Sequence, residues 1–193
     1  MLSPSVTTLL EEARGGSDEA LNRLLERCGP RLLSLIRLRM GPGLRARMES
    51  GDLLNATLFR AFRAFDRLDA RNTPSLMAWL ARVAESEIRD QADRVHAQRR
   101  DAGKDVALDA AVSELPARIR SQTSRLVLTE AQQRLEGALA DLSPEHREII
   151  LLRKFEELGF REIGERLNKS PDACRMLLAR AMTALTLRMR GSD

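Results

Sequence analysis

Residues 142–187 read LSPEHREIILLRKFEELGFREIGERLNKSPDACRMLLARAMTALTL, and this stretch decides the fold. Ser143-Pro144 and Ser170-Pro171 each place a hydroxyl N-cap before a proline at the first helical position. There the missing N–H costs nothing and the fixed φ suits the helix. Between them, Phe160, Ile163, Gly164 and Leu167 share one face of a short amphipathic helix. Asn168-Lys169-Ser170 is then a turn, and Pro171–Met189 a second, basic helix. A short helix meeting a second through a tight turn is the helix-turn-helix plan, whose second helix is sized for the DNA major groove.

The bulk composition agrees with an all-α chain. Among 193 residues there are 7 prolines, 11 glycines, no tyrosine and 3% aromatics, and no stretch sustains the period-two alternation of strands. The 32 Lys and Arg outnumber the 28 Asp and Glu by only four, yet the sequence pI is 9.8. That balance suits nucleic-acid binding and equally an ordinary charged surface. Cys28 and Cys174 lack partners at metal spacing and read as buried small apolar residues in a reducing cytosol. The start, Met1-Leu-Ser-Pro, carries neither a basic nor an apolar leader region, and no window approaches the ~20 apolar residues of a membrane span. A soluble, cytoplasmic protein without membrane insertion is expected.

Two helical modules flank a weakly patterned middle. Val6–Arg14 and Ser17–Met40 read as helices, the second expected to kink or split at Cys28-Gly29-Pro30. Gly41-Pro-Gly43 breaks the chain. From about Gly51 to Phe65 a helix carries Leu54, Leu58, Ala61, Phe62 and Phe65 on one stripe, and Thr73-Pro74 opens another with Leu76, Trp79, Leu80, Val83 and Ile88 as its apolar face. Residues 102–123 read as a flexible linker, longer than connections inside one compact domain. The expected domains are therefore 1–101, a small helical bundle, and 124–193, a small helix-turn-helix domain.

These residues carry a resemblance. Asp52-Leu-Leu-Asn-Ala-Thr-Leu-Phe-Arg-Ala-Phe, then Phe65-Asp-Arg-Leu68, a loop and Ala78-Trp-Leu-Ala-Arg-Val-Ala84 resemble region 2 of bacterial RNA polymerase sigma factors. Leu142–Arg153 with the helix-turn-helix resembles region 4. The lack of a region 3 between them matches the extracytoplasmic-function (ECF) class. The resemblance implies a specificity subunit that binds core polymerase through the β′ clamp helices and β flap. It also implies recognition of promoter DNA, and an anti-sigma factor as a further possible partner. Two departures stand out. The family usually has Gln-Glu where this chain has Asn55-Ala56, which removes an acid from the docking surface. It usually has a basic residue and a histidine where this chain has Leu177 and Ala179.

In the second helix of the C-terminal module, Cys174, Leu178, Ala181 and Leu185 fall at inward spacings, and Leu177 packs on a neighbouring helix. Asp172, Arg175, Met176, Ala179 and Met182 then project outward. Arg175 can donate twice to guanine O6 and N7, and Met176 or Ala179 can touch a thymine methyl. Arg161, Lys169 and Arg180 suit phosphates, which position without specifying. Ser170 and Asp172 complete this DNA-facing set, although a helix-capping role suits Asp172 better.

In the N-terminal module the resemblance makes 69–75 the loop that captures a base flipped from the minus-ten element, with Arg71, Asn72, Thr73 and Ser75 as candidates. Trp79 is a further candidate, though Leu80 and Val83 beside it fit a core residue better. The basic run Arg89, Arg94, Arg99, Arg100 and Lys104 suits either a DNA backbone or a solvated helix end. Asp52, Leu53, Asn55, Phe59 and Arg60 lie outside the apolar stripe and are the candidate polymerase-binding positions. The outward Leu and Phe in that set suggest a partner surface, or equally a flanking helix that covers them.

No enzyme constellation appears. His96 and His146 are the only histidines, and there is no Gly-rich phosphate loop, metal-spaced Cys/His set or nucleophile elbow. No cofactor or metal is expected. The competing readings are a helix-turn-helix regulator that never enters polymerase, which leaves Asp52–Ala84 unexplained, and an adaptor that binds only protein.

Overall fold

The structure is a computed structural model that describes residues 4–64, 73–100 and 129–190. Within these there are helices and turns and no strand, so the all-α expectation holds for the described residues. The chain divides into two compact units, Met1–Val127 and Leu128–Asp193.

In the first unit, α1 is Val6–Arg14, α2 Asp18–Arg39, α3 Pro42–Arg45, α4 Ser50–Ala64 and α5 Thr73–Arg100. Ser17 caps α2 as expected, its hydroxyl accepting from the Ala20 amide at 3.2 Å. The helix is not split at Cys28-Gly29-Pro30, because α2 runs through Pro30 as one element. The reason is packing. Residues 32 to 36 are all buried, so the helix just past Pro30 is enclosed on nearly every side, and that burial offsets the ~3 kcal/mol an internal proline costs. Helices α1, α4 and α5 pack against α2, and α4 also packs on α5. The core is Leu9, Leu10, Leu32, Leu35, Ile36, Leu53, Leu54 and Met77, each no more than 2% exposed.

In the second unit, α6 is Glu130–Ala140, α7 Pro144–Ile150, α8 Phe160–Leu167 and α9 Pro171–Arg190. A reciprocal capping box starts α6. The Gln132 amide donates to the Thr129 hydroxyl at 3.3 Å, and the Thr129 amide to Gln132 Oε1 at 2.8 Å. Ser143 caps α7 through the His146 amide, 3.4 Å, and Ser170 caps α9 through the Ala173 amide, 3.1 Å. Both serine-proline starts are thus where the sequence placed them.

Between α7 and α8 the chain makes a wide π-type turn over Leu151–Phe155, closed by Glu156 N–H to the Leu151 carbonyl at 3.0 Å. The sequence pattern did not reveal it. It turns Glu156 inward, where the carboxylate is fully buried and meets Arg166 of α8 at 2.9 Å. This ion pair ties the turn to the first helix of the helix-turn-helix.

Candidate nucleic-acid and polymerase interface

The geometry of the C-terminal site begins with Gly164. A Cβ there would lie 2.5 Å from the backbone oxygen of Lys169, closer than such atoms approach. The turn therefore folds back against α8 only because residue 164 has no side chain. Asn168 takes the left-handed conformation at φ 53°, ψ 48°, which asparagine tolerates. The Lys169 amide donates to the Gly164 carbonyl at 2.9 Å, closing α8. Together these set where α9 starts and which way it leaves.

One side of α9 is buried through Cys174, Leu177, Ala181 and Leu185. Leu177 is inward, as expected of a packed residue, while Leu178 is only half-buried, so the inner stripe runs through 177 rather than 178. Met182, expected outward, is half-buried. Arg175, Met176, Ala179 and Arg180 are exposed, Met176 at 58%. Cys28 and Cys174 are both buried and are not joined in a disulfide.

The cations of this face have acidic neighbours. Arg175 pairs with Asp172 one turn earlier, Lys169 Nζ reaches Glu145 of α7 at 3.0 Å, and Arg161 Nε meets Glu165 at 3.5 Å. The Lys169 ammonium, by its hydrogen bond, holds the Glu145 carboxyl below its usual range, and the charges of His146 and Arg180 add to this. These pairs are solvent-exposed, so each contributes little and can be exchanged for a phosphate. Asp172 lies in the first turn of α9, where its charge favours the helix dipole, and the capping hydroxyl is that of Ser170.

Two neighbours were not legible in the sequence. The guanidinium carbons of Arg153 and Arg175 each lie 5.2 Å from the centre of the Phe160 ring. Glu145 reaches Lys169 across the turn. The partners come from different segments of the chain, turns as well as helices, and no local spacing could have joined them.

The N-terminal candidates fare differently. Leu53, expected outward, is fully buried, and Ala56 is 6% exposed. The expectation for Leu53 rested on a single inward stripe and that for Ala56 on the resemblance, but α4 is packed by α2 and α5 together. No acid is missing from the surface at position 56, because that position is not on the surface. Asp52 is exposed, and Asn55 and Phe59 are half-buried. Phe59 carries the Arg63 guanidinium 5.6 Å from its ring centre. Arg60 Nη1 reaches Asp90 at 2.7 Å, Glu87 at 3.1 Å and Ser86 at 3.4 Å, all on α5. The Asp90 hydrogen bond raises the Arg60 pKa despite its partial burial. Arg71 and Asn72 lie outside the described residues, and of Thr73 and Ser75 only the backbone, in the first turn of α5, is described. Trp79 is half-buried beside buried Ala78 and Leu80. Arg89 and Arg94 are exposed on α5; the side chains of Arg99 and Arg100, and Lys104 altogether, are outside the description.

Comparison with known proteins covers both units. The family model of sigma-70 region 2 matches residues 24–100, and that of sigma-70 region 4 matches residues 132–185. The chain is 30% identical over 170 residues to RNA polymerase sigma factor CarQ of Myxococcus xanthus, spanning 86% of this chain and 87% of CarQ. The chain is an ECF sigma factor. Its fold is similar to that of CnrH, solved in complex with the cytosolic domain of CnrY, with a TM-score of 0.52 at 20% identity over 98% of this chain and 100% of that one. As a sigma factor it binds core RNA polymerase and directs it to promoters for transcription initiation. The region 2 match accounts for Asp52–Ala84, which a free-standing helix-turn-helix regulator leaves unexplained. No described helix of the sigma factor is long and apolar enough to cross a membrane, and no described cluster of His, Cys, Asp and Glu could hold a metal.

Proposed function

We propose that the face of α9 bearing Arg175, Met176 and Ala179 reads the minus-thirty-five element in the major groove. Arg175 donates to a guanine edge, and Met176 or Ala179 covers a thymine methyl. Arg161, Lys169 and Arg180 hold phosphates, exchanging their exposed carboxylate neighbours for DNA, while Ser170 and Asp172 set the start of the helix. Residues 69–75, with Arg71, Asn72, Thr73 and Ser75, capture a base of the minus-ten element, with Trp79 as a further candidate contact. Asp52, Asn55 and Phe59 face the β′ clamp helices, with Arg60 holding α4 on α5 behind them, and region 4 meets the β flap. Residues 102–123 link domains 1–101 and 124–193. The sigma factor acts in the cytoplasm without catalysis of its own, and an anti-sigma factor is a further partner.

One observation carries the reading of α9. The face with exposed Arg175, Met176, Ala179 and Arg180 lies opposite the buried side of α9, directly after the tight turn packed on Gly164, the arrangement in which the second helix of a helix-turn-helix enters the major groove. The test is initiation by core polymerase and the full chain on a library of upstream sequences. Arg175→Ala should flatten the preference at one base pair by about 1–3 kcal/mol while leaving core binding unchanged. Lys169→Ala should weaken all sequences equally and lower the salt slope by about one. A uniform loss with Arg175→Ala would sink the reading.

A further inference from the structure

We propose that Phe160 is a positioning residue for Arg175, and so a determinant of promoter specificity that does not itself touch DNA. This rests on the reading of Arg175 given above. Phe160 opens α8 and is half-buried. The backbone beneath it is held, because the Gly159 amide donates to Glu162 Oε2 at 2.7 Å. On the ring lies the guanidinium of Arg153, centred 5.2 Å from the ring centre, and Arg153 Nη1 donates to the Leu158 carbonyl at 3.1 Å. That contact anchors Arg153 to the chain just before α8, so the ring is fixed from both the backbone and a side chain. Arg175 of α9 brings its own guanidinium to 5.2 Å from the same ring centre.

The chemistry explains why a ring suits this place. Arginine is long and rich in rotamers, and ordering it on binding costs affinity. A ring face attracts the guanidinium through its π-system and leaves the N–H donors at the guanidinium edge available. Asp172 also holds Arg175, but by occupying one of those donors. The carboxylate must yield or share when a guanine arrives; the ring need not. Phe160 therefore preorganises Arg175 without competing with the base.

The experiment uses core polymerase with the full chain and measures initiation on promoters carrying each of the four base pairs at every upstream position. Phe160→Leu, which keeps an apolar side chain but no π face, should reduce the preference at the base pair read by Arg175 about three- to tenfold. Preferences at other positions should persist, and Phe160→Trp should retain the original preference. In an Arg175→Ala background, Phe160→Leu should cause no further loss. The inference is overturned by an equal loss at every position, by an additional loss in the Arg175→Ala background, or by loss of the preference in a folded Phe160→Trp variant. Arg175→Ala alone separates the two readings. If it flattens no position, the assignment of Arg175 falls and this inference with it; if it flattens one and Phe160→Leu does not, only the role of Phe160 falls.

Discussion

Arg60 in the first unit and Arg175 in the second are similarly exposed, at 46% and 55% of their side-chain surface, yet they are held in opposite ways. Arg60 bonds to Ser86, Glu87 and Asp90, which lie 26 to 30 residues away on another helix. Glu87 is itself only 11% exposed at its side chain and also accepts from Gln91 at 2.8 Å. The guanidinium thus joins α4 to α5. Arg175 bonds to Asp172 within its own helix and otherwise rests on a ring. Breaking the first contact loosens the fold; breaking the second frees a side chain. Exposure alone does not tell an arginine that ties two helices together from one proposed to read DNA. The kind of partner does: carboxylates of another helix hold Arg60, an acid of its own helix and an aromatic ring hold Arg175.

The comparison can be broken most severely at the turn. Gly164→Ala forces a backbone oxygen to move and should destabilise the second unit by about 3 kcal/mol. Hydrogen exchange on the full chain should show lost protection in α8 and α9 with α2 unchanged; unchanged α8 and α9 would mean that the turn is not held by this close approach. Next is Arg166→Ala, which leaves the fully buried Glu156 carboxylate without that cation. A loss of about 2 kcal/mol in denaturant unfolding is expected, below the full cost of a buried pair because Arg166 is itself partly exposed. The smallest effect addresses the two arginines directly. Arg60→Ala should cost the first unit about 1 kcal/mol, and a double-mutant cycle with Asp90→Asn should show coupling. Arg175→Ala should change stability by less than about 0.5 kcal/mol. Were Arg60→Ala to weaken core binding while stability held, Arg60 would be a polymerase contact and the contrast would fail.

Legibility followed the range of the forces involved. The starts of α2, α7 and α9 were readable because a serine hydroxyl meets an amide three residues on, and the proline at α7 and α9 enforces the same start. The span of α8 and its turn were readable from a face of three residues and a glycine. Leu53 was misread because a helical wheel assumes one buried side, and α4 is covered by two helices. A split at Pro30 was misread because a local penalty was weighed without the burial just past it. The stack of Arg153 and Arg175 on Phe160 had no local sign at all.

The sequence by itself determined the helices, their caps, the helix-turn-helix and the likeness to a two-region sigma factor, because hydrogen bonds within a turn of helix and apolar periodicity act over a few residues. Only the tertiary structure decided which charged residues serve the fold and which face outward. Ion pairs and ring contacts depend on distances between helices, and Arg60, Leu53 and Phe160 acquired their roles only when α4 met α5 and α8 met α9.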